Sequence, residues 1–75
     1  MNWDDLRIFL ALSRDRTLSE TARKLKVSQP TVGRRIERLE RDMDAKLFDR
    51  LADGYALTAA GERLVPMAQD MAHAA

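Results

Sequence analysis

Seventy-five residues with no cysteine and a single histidine, His73, make one small domain that neither a disulfide nor a multi-histidine metal centre can reinforce. With 45% hydrophobic and 33% charged residues the chain is too apolar for disorder; no apolar run reaches the roughly 18–20 residues that span a bilayer, and no basic signal-peptide start is present, so a cytoplasmic protein is expected. The net charge of +1 hides an asymmetry, because seven bases stand against two acids between Arg14 and Arg35 while acids outnumber bases from Ile36 onward.

Leu6, Phe9, Leu10 and Ser13 follow the i, i+3, i+4, i+7 pattern and predict a first helix over Asp4–Ser13. Asp4 and Asp5 suit its positive N-terminus, and Trp3 is expected to pack before it as a lid. Thr17–Leu18–Ser19–Glu20 has the form of a capping box and opens a short helix in which Leu18, Ala22 and Leu25 share a face. Ser28–Gln29–Pro30–Thr31 is a second helix start, with Ser28 as cap and Pro30 in the first turn. The long helix that follows carries the apolar stripe Val32, Ile36, Leu39 and Met43, with Glu37–Arg41 and Arg38–Asp42 expected as i, i+4 ion pairs. Leu47–Leu51 and Tyr55–Leu57 flank Ala52–Asp53–Gly54, and the Asp-Gly step predicts a short hairpin. Thr58 starts a last helix in which Leu64, Ala68, Met71 and Ala75 keep a heptad-like spacing, with Pro66 expected to kink it.

Two helices joined by a turn of three or four residues form a helix-turn-helix, and a hairpin after them forms a wing. The second helix of such a pair enters the major groove N-terminus first. Gln29 has the geometry for a bidentate contact to adenine, and Arg34 for guanine or phosphate. The N–H groups near Ser28 and Gln29 offer a small anion site. Gln29, Thr31, Arg34 and Arg35 lie opposite the apolar stripe, as groove insertion requires, although Arg35 equally suits the flank of the core and Thr31 a helix start. A three-helix domain that binds only protein would show similar stripes. An enzyme is not expected: Asp4 with Asp5 and Asp42 with Asp44 are helix-end charges, His73 suits a last turn, and there is neither a glycine-rich phosphate loop nor a nucleophile elbow.

Six segments in this order and spacing carry a resemblance. They are Leu6–Phe9, Thr17–Ala22, Leu25–Val32, Arg34–Glu40, Leu47–Arg50 and Leu57–Gly61. Together they resemble, over essentially the whole chain, the N-terminal DNA-binding domain of the LysR-type transcriptional regulators. The resemblance implies a mostly α winged helix-turn-helix, a three-helix core plus a short β-hairpin wing, over about residues 1–58. The helix-turn-helix would fall at about 18–37 and the wing at about 47–57. A long linker helix over about 59–75 would pack on its equivalent in a second subunit through Leu64, Ala68, Met71 and Ala75. The implied function is sequence-specific, homodimeric reading of double-stranded DNA at a partly palindromic promoter or operator site, with no membrane partner.

Carried over by position, Gln29, Pro30 and Arg34 match the family's major-groove contacts, and Ser28 and Thr31 match backbone-facing positions. Gly33 stands where the family usually has serine, and is expected to allow closer approach to DNA. Asp53 and Ala56 stand where the family often has bases, so the wing contact rests on Arg50. The family's C-terminal effector domain, similar to periplasmic binding proteins, lies outside these residues, and the chain is expected to be a fragment that lacks it. No cofactor is expected in the fragment, and a small-molecule effector only for that domain. The N-terminal domain of molybdate-responsive regulators is similar too and implies the same binding to DNA.

Overall fold

Asn2 opens α1, Trp3–Asp15, by accepting the Asp4 N–H on its side chain at 2.8 Å. The computed structural model describes residues 2–74. α1 buries Leu6, Ile8, Phe9 and Leu12 on one face and lies against all three other helices. Trp3 is no lid: it occupies the first turn of α1 and is 40% exposed.

Thr17 caps α2, Leu18–Leu25, with its hydroxyl accepting the Glu20 N–H at 3.2 Å. The reciprocal half of the capping box does not form, because the Glu20 carboxylate turns to Arg23. Lys26, Val27 and Ser28 alone separate α2 from α3, Gln29–Met43, and Lys26 makes the turn in the left-handed region at φ 59°. Ala22 is buried in the same core as Val32, Ile36 and Leu39, which hold α3 to the domain, and Met43 is partly buried against it. Full burial of each large side chain in this cluster contributes about 1.5–3 kcal/mol.

The ion pairs expected within α3 are not those formed. Arg38 reaches across to α1 and holds both oxygens of Asp5, through Nε at 2.8 Å and Nη2 at 2.7 Å. A bidentate fork satisfies a fully buried carboxylate, which an exposed i, i+4 pair with Asp42 could not do.

The wing pairs β1, Phe48–Leu51, with β2, Gly54–Leu57, antiparallel and in the register Phe48↔Leu57 to Leu51↔Gly54. The turn is therefore Ala52–Asp53, and Gly54 already belongs to β2. Its glycine has a different reason: φ is 145°, and a Cβ would lie 2.5 Å from the carbonyl oxygen of Arg16. Tyr55 N–H donates to that same oxygen at 2.7 Å, which docks the wing on the α1–α2 turn. At the wing's base the Glu40 carboxylate accepts the N–H groups of Leu47 at 2.7 Å and Phe48 at 3.3 Å.

Thr58 accepts the Gly61 N–H and donates to the Lys46 carbonyl oxygen, and α4, Ala59–Ala74, follows. The helix runs on through Pro66, which is exposed. The architecture is thus a winged helix-turn-helix followed by a fourth helix packed on α1.

Candidate nucleic-acid interface

The Ser28 hydroxyl accepts the Thr31 N–H at 3.2 Å and shares a hydrogen bond with the Thr31 hydroxyl at 2.8 Å. Of the two predicted backbone-facing residues Ser28 is exposed and Thr31 half-buried, and they are already joined to each other in the cap. Pro30 has no N–H to offer and the Thr31 N–H is taken by the cap, so the expected anion site comes down to the Ser28 and Gln29 N–H groups, neither of which has a partner among the described residues.

One open cleft lies between the start of α3 and the wing. Leu18, Gln29, Pro30, Gly33, Arg34, Glu37 and Arg50 line it, so five of the eight predicted contact residues share one concave surface. Arg34 is exposed, and its guanidinium donates only to Thr31 Oγ1, at 3.3 Å and within its own helix. No carboxylate neutralises it among the described residues. Arg50 reaches the cleft from β1. Its Nε donates to the Tyr55 hydroxyl at 2.9 Å, and its guanidinium lies 5.6 Å from the Tyr55 ring centroid. Tyr55 in turn packs edge-on against Phe48, with ring centroids 6.0 Å apart, so Arg50 is held on a ring that the core fixes.

Arg35 is placed differently. Its Nη1 donates to Asp4 at 2.6 Å and reaches Asp5 at 3.4 Å, so it ties α3 to α1. Asp4 and Asp5 are held below the ordinary carboxylate value of 3.8, Asp4 first by its hydrogen bond from Arg7 and Asp5 first by that from Arg38. Within the basic stretch, Arg23 and Lys24 are likewise paired, with Glu20 and Asp15. The excess positive charge found in the sequence is therefore partly neutralised, and Arg34 is the base it leaves on the cleft-facing side of α3.

The apolar stripe of α4 divides. Leu64 and Ala68 are 5% and 0% exposed and belong to the core of this same domain, so neither presents a side chain to a second copy. Met71 is 48% exposed and Met67, which heptad spacing overlooked, is 60% exposed. Ala75 lies outside the described residues. Sequence reasoning also missed Leu18 and Glu37 as cleft residues and Tyr55 as the seat of Arg50; the i, i+3 spacing of Arg34 and Glu37 was the available signal for the latter acid. Among the described residues no helix is long and apolar enough to cross a membrane.

The family model described as "Bacterial regulatory helix-turn-helix protein, lysR family" matches residues 3–62. The transcriptional regulator ClcR of Pseudomonas putida is 37% identical over 73 residues, which are 97% of this chain and 25% of that protein. The chain thus spans about a quarter of the length of that relative. Among solved structures, the DNA-binding domain of CbnR in complex with DNA superposes with a TM-score of 0.94 at 32% identity, covering 97% of this chain and 84% of that one. The BenM DNA-binding domain in complex with benA site 1 DNA gives 0.91 at 26% identity, covering 97% and 85%.

Proposed function

The chain belongs to the LysR family of bacterial helix-turn-helix regulatory proteins, and from that membership we propose that it is the operator-reading part of a transcription regulator that acts as a homodimer. The observation that carries the reading is the convergence of Gln29, Pro30, Gly33, Arg34 and Arg50 on one cleft, two of them unneutralised cations and one an amide suited to adenine. The likeness to two domains in complex with DNA supports DNA as the partner.

α3 enters the major groove with Gln29 and Arg34 on base edges. Ser28, Thr31 and the Gln29 N–H face the sugar-phosphate backbone. Arg50, steadied on Tyr55, approaches the backbone beside the groove. Arg35 acts through the fold, holding α3 on α1, rather than by touching DNA. Residues 2–58 are the reading unit and α4 is the dimerising one. An effector domain and its small-molecule ligand belong to a full-length regulator of this kind.

Dimerisation then rests on the exposed methionines of α4. Met71→Asp is expected to convert the fragment to monomer in light scattering and to weaken duplex binding at least about tenfold, because the second half-site loses its tethered partner. An unaltered mass with unaltered affinity would contradict the dimeric reading. A wild-type chain that binds no duplex at low salt would contradict DNA reading itself.

A further inference from the structure

Glycine is a poor helix former, and the two other glycines of this chain have reasons within the fold. A Cβ on Gly54 would strike the Arg16 carbonyl, and one on Gly61 would strike the Leu47 carbonyl. Gly33 has no such reason. It lies inside α3 with an ordinary helical φ, and an added Cβ would meet nothing within 4 Å. The domain neither needs a left-handed residue there nor closes against the position.

The space above Gly33 opens on the cleft and on an adjoining cavity toward Ile36 and Phe48. Gln29 stands one turn before it on the same helix face, and Leu18 and Pro30 supply apolar walls. Resting on the proposal that this cleft reads DNA, we infer that Gly33 is a specificity-determining position, whose missing side chain leaves a recess for the 5-methyl group of a thymine. The chemistry favours that group because it is the one apolar substituent among the base edges of the major groove. Gln29, suited to adenine N6 and N7, would then work beside a methyl-accepting recess, and the two together select an A·T pair or two adjacent ones. A methyl group at position 33 fills part of the recess from below without touching the rest of the protein.

The experiment takes a duplex that the wild-type fragment binds and replaces its thymines one at a time by deoxyuridine, which removes only the methyl. Wild-type affinity is expected to fall about three- to fivefold at one position of each half-site, the scale of one buried methyl group. Gly33→Ala is expected to bind the parent duplex more weakly and to be indifferent to uracil at that position. The same variant should melt about 2–8 °C higher than wild type, because alanine is the better helix residue, which excludes misfolding as the cause of weaker binding. Gly33→Ala that binds like wild type and keeps the thymine–uracil difference would overturn the inference while leaving DNA reading intact. So would a duplex in which no thymine methyl matters. Absence of all duplex binding by the wild type would instead overturn the underlying proposal, and the inference with it.

Discussion

Asp5→Ala is expected to lower the melting temperature of the domain by about 10–20 °C. Asp5 is 0% exposed and receives three guanidinium hydrogen bonds, two from Arg38 and one from Arg35. Breaking a buried pair typically destabilises by about 3–5 kcal/mol, chiefly through the charge left behind. Here that charge is on Arg38, whose side chain is 43% exposed, so water relieves part of it and about 2–3 kcal/mol is the expected loss. For a domain of this size that is a large share of a total stability of about 5–15 kcal/mol. The pair also joins the first helix to the third, so its loss loosens the platform under the recognition helix.

The same carboxylates set a pH dependence. Arg7 and Arg38 hold Asp4 and Asp5 below 3.8, so their contribution to stability is complete above that value and is lost as pH falls through the depressed folded-state values. Acid destabilisation should therefore begin below about pH 4 and be shallower in Asp5→Ala, as thermal melts by circular dichroism from neutral to strongly acid pH would record. A variant that melts within about 2 °C of wild type at neutral pH would show that the α1–α3 strap contributes little.

Arg34→Ala is expected to leave the melting temperature unchanged and to weaken specific duplex binding at least about thirtyfold. Its guanidinium makes no contact beyond Thr31 of its own helix among the described residues, so the fold does not depend on it. A bidentate contact to guanine is worth about 1–3 kcal/mol, and a homodimer makes it twice. The loss should be concentrated at one guanine per half-site, with preference relaxed there, whereas loss of a phosphate contact would weaken all duplexes alike. Arg35→Ala should behave in the opposite way, lowering stability through Asp4 while leaving base preference in place. Competition binding against duplexes varied one base pair at a time separates these outcomes. Unchanged preference in Arg34→Ala at every position would remove it from the reading surface.

What was legible in the sequence was local or periodic. Thr17 and Ser28 announce helix starts because a cap needs only a hydroxyl and the N–H three residues on, and both caps form. The Val32, Ile36 and Leu39 stripe is equally local, and all three are buried. Gln29, Pro30, Gly33, Arg34 and Arg50 were picked out and share the cleft, but the helix positions and the wing met there only through the family resemblance and the folded chain.

What was illegible depends on distance along the chain. Asp5 and Arg38 meet across 33 residues, and nothing local distinguishes them from ordinary helix-end and i, i+4 charges. Arg35, in the same network, suits either the reading face or the flank of the core in sequence, and only its partners Asp4 and Asp5, some 30 residues away, decide for the flank. The wing register hid another contact: an Asp53–Gly54 turn would have opposed Arg50 to Leu57, whereas the Ala52–Asp53 turn opposes it to Tyr55. Three turns use Arg16, Lys26 and Asp44 in the left-handed region instead of glycine, so helix ends carried no glycine signal. In α4 a heptad-like stripe cannot say whether it covers its own domain or a second copy, and Leu64 and Ala68 cover their own.

The most direct measurement is selection of bound duplexes from a random-sequence pool by the wild-type chain at two salt concentrations. The account predicts a two-fold motif whose half-sites each contain an A·T pair and a G·C pair, with binding that falls steeply as salt rises because phosphate contacts release counterions. Salt-insensitive recovery, or duplexes with no shared motif at either salt, would contradict the claim that the α3–wing cleft reads sequence.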